Sequence, residues 1–308
     1  MDALPAMHDS AYQAMESGRL GAGIYDDIEM EAYIHDPSAR PSLNAGTANL
    51  LIQRSPLHAW HANARLNTNW KQDNSSVADI GTIAHHVLLA GDTRDIVVIE
   101  ADDWRTKAAK EQRDEAYARG AIPILTGKMS EVRAMVDAAR AQLETSELAG
   151  IFSSGKAEQT LIYEVGDCWY RSRPDWWNRE AGVMLDLKTT KASAEPNSWT
   201  RLLLGMGYDL QAQIALNGAL ALTKGDLTPQ HFIFAVLEQD PPYALSLVGA
   251  SNQMLDLAQR KLDYASQIWK QCLQTSLWPG YPSRICWAEV PEYHARGVEE
   301  LIELGGQA

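Results

Sequence analysis

Near residue 158 the hydrophobic period of this chain changes from helical to alternating, and that change restricts the architecture more than any other feature. Upstream, apolar residues recur at helical spacing: Ile80, Ile83, Ala84, Val87 and Leu88 within about 77–90, and Val132, Met135, Val136 and Ala139 within about 129–147. Residues 47–63 are also helix-like, with an interruption at Pro56, and 101–119 are charged and helix-prone up to Gly120. Residues 158–165, 168–175 and 182–189 then read as three short strands. Gly166-Asp167 forms a tight turn between the first two, and a longer connection spans 176–182. A helix follows at about 198–222, delayed or kinked by Gly205 and Gly207. Strands at 231–238 and 243–248 precede a final helix at 251–274, where Leu255, Ala258, Leu262, Ala265, Trp269 and Cys272 form one stripe. This order predicts an α/β fold: a central mixed sheet flanked by helices, with a helical N-terminal elaboration. The expected divisions are an acidic N-terminal segment at 1–41, one folded domain at 42–275 and an acidic C-terminal tail at 276–308.

The strand at 182–189 carries the chemistry. Side chains two apart on a strand share a face. Asp186 and Lys188 therefore project together, while Leu185 and Leu187 turn to the opposite, core-facing side. Asp175, in Arg173-Pro174-Asp175, closes the preceding strand, and ten residues separate it from Asp186. Adjacent strands would bring the two carboxylates together and offer the hard oxygen ligands that Mg²⁺ prefers, with room left for water and phosphate. Lys188 would orient or activate the attacking water and offset charge at the scissile phosphate. The bland alternative is a surface Asp–Lys pair contributing about 0–1 kcal/mol. The Pro-Asp strand end, the spacing and the helix that follows favour the site.

Taken together, these segments resemble the PD-(D/E)XK exonucleases typified by exodeoxyribonuclease VIII (RecE), relatives of the RecB nuclease domain and phage lambda exonuclease. The resemblance covers about residues 42–275. It rests on Gly81-Thr82-Ile83-Ala84-His85, Arg173-Pro174-Asp175, Asp186-Leu187-Lys188 and Tyr208-Asp209-Leu210-Gln211, in that order. It implies a restriction-endonuclease-like core and Mg²⁺- or Mn²⁺-dependent digestion of double-stranded DNA ends, with two ions, a 5′→3′ direction and a single-strand annealing protein as partner. It makes His85 a metal ligand beside Asp175, Asp186 and the backbone carbonyl of Leu187. Tyr208 and Gln211 would face the active site, although this chain has Ala215 where many relatives place an aromatic residue. Two other readings of the same fold stand beside it: a structure-specific endonuclease, and a catalytically silent DNA-binding protein. Related nucleases with an iron–sulfur cluster use four cysteines, whereas this chain has three, Cys168, Cys272 and Cys286.

Further candidates carry two readings each. Glu158 is either another carboxylate near the metals or a solvent-facing residue. Arg171, Arg173 and Lys191 are candidate DNA contacts, with salt bridges the alternative for the two arginines. Trp176 and Trp177 either stack on an unpaired base or simply pack. Trp104, Arg105, Lys107, Lys110 and Arg113 form either a DNA-contacting lid or a solvated helix, their five acidic neighbours favouring the latter. His86 lies about 100° around the helix from His85 and is the weaker ligand candidate.

The net charge of −13 runs against DNA binding until its distribution is considered. Residues 1–36 hold eight acids and one Arg, and 288–308 hold five acids and one Arg, so the ends account for −7 and −4. Residues 171–201 reverse the sign, with six bases against four acids. This distribution suggests a homo-oligomeric ring of three or four subunits, with the locally basic face turned inward. The odd, scattered cysteines and the lack of a signal segment or membrane span point to the cytoplasm, that of the bacterial host if the chain is phage-encoded.

Overall fold

Two mixed sheets share the strands that the sequence assigns to one. The computed structural model describes residues 18–71, 80–89, 96–224 and 231–305. The acids Asp2, Asp9 and Glu16 and both ends of the helix expected at 77–90 lie outside these. In chain order, β1 (Gly23–Tyr25), α1 (Met30–Ile34), β2 (Ser42–Leu43), α2 (Ala45–Gln53), α3 (Pro56–His61) and α4 (Ile80–Leu89) come first. A parallel pair, β3 (Ile96–Ile99) and β4 (Ile122–Leu125), encloses α5 (Lys107–Ala118) and leads into α6 (Thr126–Glu144). Next come β5 (Lys156–Ala157), β6 (Thr160–Val165), β7 (Cys168–Ser172), β8 (Trp176–Asn178) and β9 (Val183–Thr190). The chain continues with α7 (Pro196–Met206), α8 (Tyr208–Thr223), β10 (His231–Glu238), β11 (Leu245–Gly249), α9 (Asn252–Thr275) and α10 (Glu292–Gly305).

One sheet has the order β1-β6-β7-β2 and the other β11-β10-β9-β8-β5. The hairpin around Gly166-Asp167 passes from one sheet into the other because both its arms break. One arm breaks at Glu158–Gln159, where Glu158 adopts a left-handed φ of 50°, and the other at 173–175. The expected strands 158–165 and 168–175 are therefore each shorter, and the expected connection 176–182 contains a strand of its own, β8. A single hydrogen bond from Glu158 N–H to the Asp175 carbonyl (3.0 Å) spans the double break.

Alternation along β9 separates two cores. Leu185 and Leu187, with Ala235 and Leu237 of β10, pack against Ile83 of α4 and Met135, Val136 and Ala139 of α6. Met184, on the opposite face with Phe232, Phe234 and Val236, packs against Trp199 and Leu203 of α7 and Ala212 and Ala215 of α8. A third core joins α2 and α9 to β7 through Leu51, Tyr170, Leu262 and Trp269. Burying so many large side chains at about 25 cal/mol per Å² is the main force holding the layers together.

The N-terminal boundary expected at residue 41 is not a structural one. β1 pairs with β6, β2 pairs with β7, and the fully buried Asp36 accepts hydrogen bonds from the Ser42 N–H (2.7 Å) and hydroxyl (2.8 Å). Arg65 and Arg171 lie 3.5 and 3.6 Å from Asp36, so its buried charge is compensated. At the other end, the tail expected at 276–308 includes the helix α10. Among the described residues no helix is long and apolar enough to cross a membrane.

Candidate active site

β8 and β9 pair antiparallel, with Trp176 opposite Leu185 and Trp177 opposite Met184. Carried one step further, that register sets Asp175 opposite Asp186. At this point the ladder has opened, and the Asp175 side chain takes over: its Oδ2 accepts the Leu187 N–H at 2.7 Å. The break in the strand thus turns a carboxylate toward its neighbour, where an unbroken strand would have placed only backbone. Asp175 Oδ1 lies 3.0 Å from His85 Nε2, and His85 Nδ1 lies 3.7 Å from Glu158 Oε1. Helix α4 presents His85 because Ile83 and Ala84, its neighbours in the helix, are buried in the core beneath β9. Glu158, left open between two readings above, faces this cluster.

Asp186 is 1% exposed. Its Oδ2 accepts from the Gln211 amide and its Oδ1 pairs with the Lys188 ammonium. Lys188 Nζ also donates to Gln211 Oε1 at 3.2 Å and sits 4.4 Å above the Tyr208 ring. The first turn of α8 therefore closes the site, with Tyr208 and Gln211 three apart on one helix face.

Burial pushes the Asp186 carboxyl up to about 6, and the Asp175 charge adds to the effect, against the opposing pull of Lys188. Burial alone would lower the Lys188 ammonium, but the charges of Asp186 and Asp175 outweigh it and the net shift is upward. His85 is likewise raised, because the hydrogen bond and charge of Asp175 overcome desolvation.

These donors fit a hard divalent cation: two carboxylates and an imidazole, with a third carboxylate nearby. The buried Asp186 Oδ1 is met by the Lys188 ammonium alone, so a cation there would compete with that ion pair for it. Among the described residues no three such side chains close into a ready cage. Each carboxylate is turned to an internal partner instead, Asp175 to His85 and Leu187, Asp186 to Lys188 and Gln211.

Several expected contacts fall elsewhere. Arg171 is 3% exposed and donates to the Ser42 carbonyl (2.9 Å) and the Tyr33 carbonyl (3.2 Å), so it braces the fold and is not open to a phosphate. Arg173 donates to Thr160 Oγ1 and the Ile28 carbonyl and lies over the Tyr33 ring; the salt bridge expected as its alternative is replaced by these neutral partners. Lys191 is exposed just past β9. Trp176 and Trp177 are buried, which settles them as packing residues. Lys107 and Arg113 pair with Glu111 and Asp114, as on a solvated helix.

Sequence reasoning missed what holds α8 in place. Gly207 has a φ of 75°, ends α7 and starts α8, and a side chain there would lie 2.6 Å from Asn49 of α2. One residue into α8, the fully buried Asp209 pairs with Lys261 of α9 at 2.6 Å. Its position beside Tyr208 was the available signal.

A carboxylate at the strand break before β8, a second on the neighbouring strand β9 and a lysine two residues beyond the second define a PD-(D/E)XK-type nuclease core. The chain belongs to the family described as the PDDEXK-like domain of unknown function, DUF3799, whose profile matches residues 54–288. A crystal structure of a provisionally named exonuclease from Eubacterium rectale superposes with a TM-score of 0.55 at 11% identity, covering 86% of this chain and 96% of that one. A phage-related exonuclease from Haemophilus somnus matches more loosely, with a TM-score of 0.33 at 10% identity, covering 77% and 97%. No curated protein matches the chain.

Proposed function

We propose that this protein is a divalent-metal-dependent exodeoxyribonuclease that digests linear double-stranded DNA from its ends. The observation that carries this reading is the Asp175 carboxylate bound to the Leu187 N–H of β9, next to Asp186, with His85 in contact with Asp175 and Lys188 with Asp186. The family membership supports nuclease chemistry, and the exonuclease name of the E. rectale neighbour favours ends over internal sites.

PD-(D/E)XK nucleases typically use divalent metals. Here Asp175, Asp186, His85, Glu158 and the Leu187 carbonyl would hold Mg²⁺ or Mn²⁺, in one or two sites. The bound ion would supply Lewis-acid polarisation of the phosphate and a more acidic water. Lys188 directs its ammonium into the same space, where it orients water and balances charge at the phosphate. Gln211 bridges Asp186 and Lys188 and holds both in register, and the Tyr208 ring keeps Lys188 from swinging outward. The 5′→3′ direction and a role with an annealing protein in recombination extend the proposal on the family resemblance.

Incubation of linear and closed circular duplex with Mg²⁺ tests it. Linear DNA should shorten progressively while circles persist, and chelation should stop the reaction. Asp175→Ala or Asp186→Ala should lower the rate by about 10³-fold or more, as expected on losing charge stabilisation at the reacting phosphate. Full activity in Asp186→Ala would refute the site, and equal attack on circles would make the protein an endonuclease.

A further inference from the structure

Past residue 283 the chain leaves the body. Trp287 is 83% exposed, Ile285 75%, and Leu301 and Ile302 about 70%, and no residue of α10 is buried. At 100° per residue, Val298, Leu301 and Ile302 fall on one side of α10, and Glu292, Glu299 and Glu303 on the other. A helix of 14 residues is marginal in water by itself, and a contiguous apolar face of this kind is normally covered by a partner.

Charge narrows what that partner is. Residues 285–305 hold five acids and one Arg, a net of −4, which disfavours DNA or an anionic membrane surface. A base-rich stretch of opposite sign lies on the same chain. Residues 37–71 contain Arg40, Arg54, Arg65 and Lys71 and no Asp or Glu, and all of these bases but Arg65 are exposed. Beside Arg54, the meeting of α2, α3 and α9 leaves a cleft of about 790 Å³ lined by Leu51, Ile52, Pro56 and Ile268. Tyr264, 58% exposed, lines it too, and Leu57, 45% exposed, lies close by. The base of the arm already seats here: Pro279 accepts the Leu57 N–H at 3.1 Å, and Tyr281 packs on His58 with ring centroids 5.2 Å apart. Each copy thus carries both halves of a contact and closes neither with itself.

We propose that the arm at 285–305 docks on the α2–α3–α9 cleft of a second copy of this chain. The apolar side of α10 would cover the cleft, and its acids would lie against Arg54, which lines it. A reciprocal exchange gives a dimer and a head-to-tail one gives a ring. The contact is independent of the nuclease reading.

The test is the mass of the full-length protein by light scattering and sedimentation. The parent should measure at least twice 34.1 kDa. Leu301→Ser with Ile302→Ser should yield a monomer whose circular dichroism falls by no more than the helix of the 14 residues of α10. Arg54→Glu, and separately Glu299→Lys with Glu303→Lys, should each weaken association by roughly tenfold. Mixing those two charge variants should restore it. A monomeric parent overturns the proposal, whether Trp287 fluoresces as exposed or as folded back on its own body. So does an oligomer that survives the Leu301→Ser, Ile302→Ser change, since its interface then lies elsewhere.

Discussion

Asp186 shows how the site sets function against stability. Its folded pKa of about 6 stands above the ordinary carboxylate range, so the stability it contributes is present at low pH and is lost as pH rises through about 6. A cation that binds the ionised form offsets that loss. Mg²⁺ should therefore raise the melting temperature more at pH 7.5 than at pH 5, and Asp186→Asn should abolish the pH-dependent part of the gain; scanning calorimetry checks both. His85 and His86 make a second residue-level comparison. Among the described residues His85 reaches a carboxylate, its Nε2 lying 3.0 Å from Asp175, while the His86 ring stands 6.0 Å from that of His85, centroid to centroid. His85→Ala should raise the Mg²⁺ concentration needed for half-maximal cleavage, with His86→Ala nearly silent. A reversed order would show that the Gly-Thr-x-x-His register is misassigned.

At the level of elements, the junction of α7 and α8 sets the catalytic geometry. Gly207 combines a positive φ with a side-chain position 2.6 Å from the Asn49 side chain, so Gly207→Ala strains the α7–α8 junction and pushes Asn49 aside. The cost is expected to be about 1–3 kcal/mol of stability, from strain and the close contact together. The rate should fall further than stability alone explains, because Tyr208 and Gln211 move with the helix. Pairing the change with Asn49→Ala should recover part of the lost rate, measured as kcat on a short duplex. By contrast, Gly155→Ala places its new atom 2.6 Å from the Trp177 carbonyl, a backbone group that cannot yield, and should reduce thermal stability with no such rescue.

For the whole molecule, the charge distribution limits how DNA is held. Of the six bases in 171–201, Arg171 is buried in the fold, Lys188 is paired with Asp186, Arg173 and Arg179 are half-buried, and Lys191 and Arg201 are exposed. Few phosphate contacts imply a shallow salt dependence. The slope of log affinity against log salt should be no steeper than about −3 per subunit, given about −0.9 per contact. Titration of labelled duplex into Asp175→Ala at several salt concentrations measures it, and a slope near −8 would mean that a basic surface outside this region takes part.

Alternation in 183–190 and the 3.6-residue periods elsewhere suffice to read the α/β class and the shared face of Asp186 and Lys188. These depend on local side-chain direction, which a strand or helix imposes on any sequence that adopts it. Joining His85 and the Gly-Thr-x-x-His segment to the Pro-Asp and Asp-x-Lys segments as one site rests on the family resemblance, because periodicity alone gives no contact between distant elements. Other features depended on the packing of distant segments. Glu158 turned toward His85 because both hairpin arms break at the same level, and Arg171 was withdrawn from solvent by Asp36, which lies far away in sequence. Trp176 and Trp177 became a strand because β9 offered an edge, and α8 was fixed by Asn49 and Lys261 from two other helices. Desolvation and ion pairing act through space, so which charges were buried, paired or left to the site was decided only by the tertiary structure.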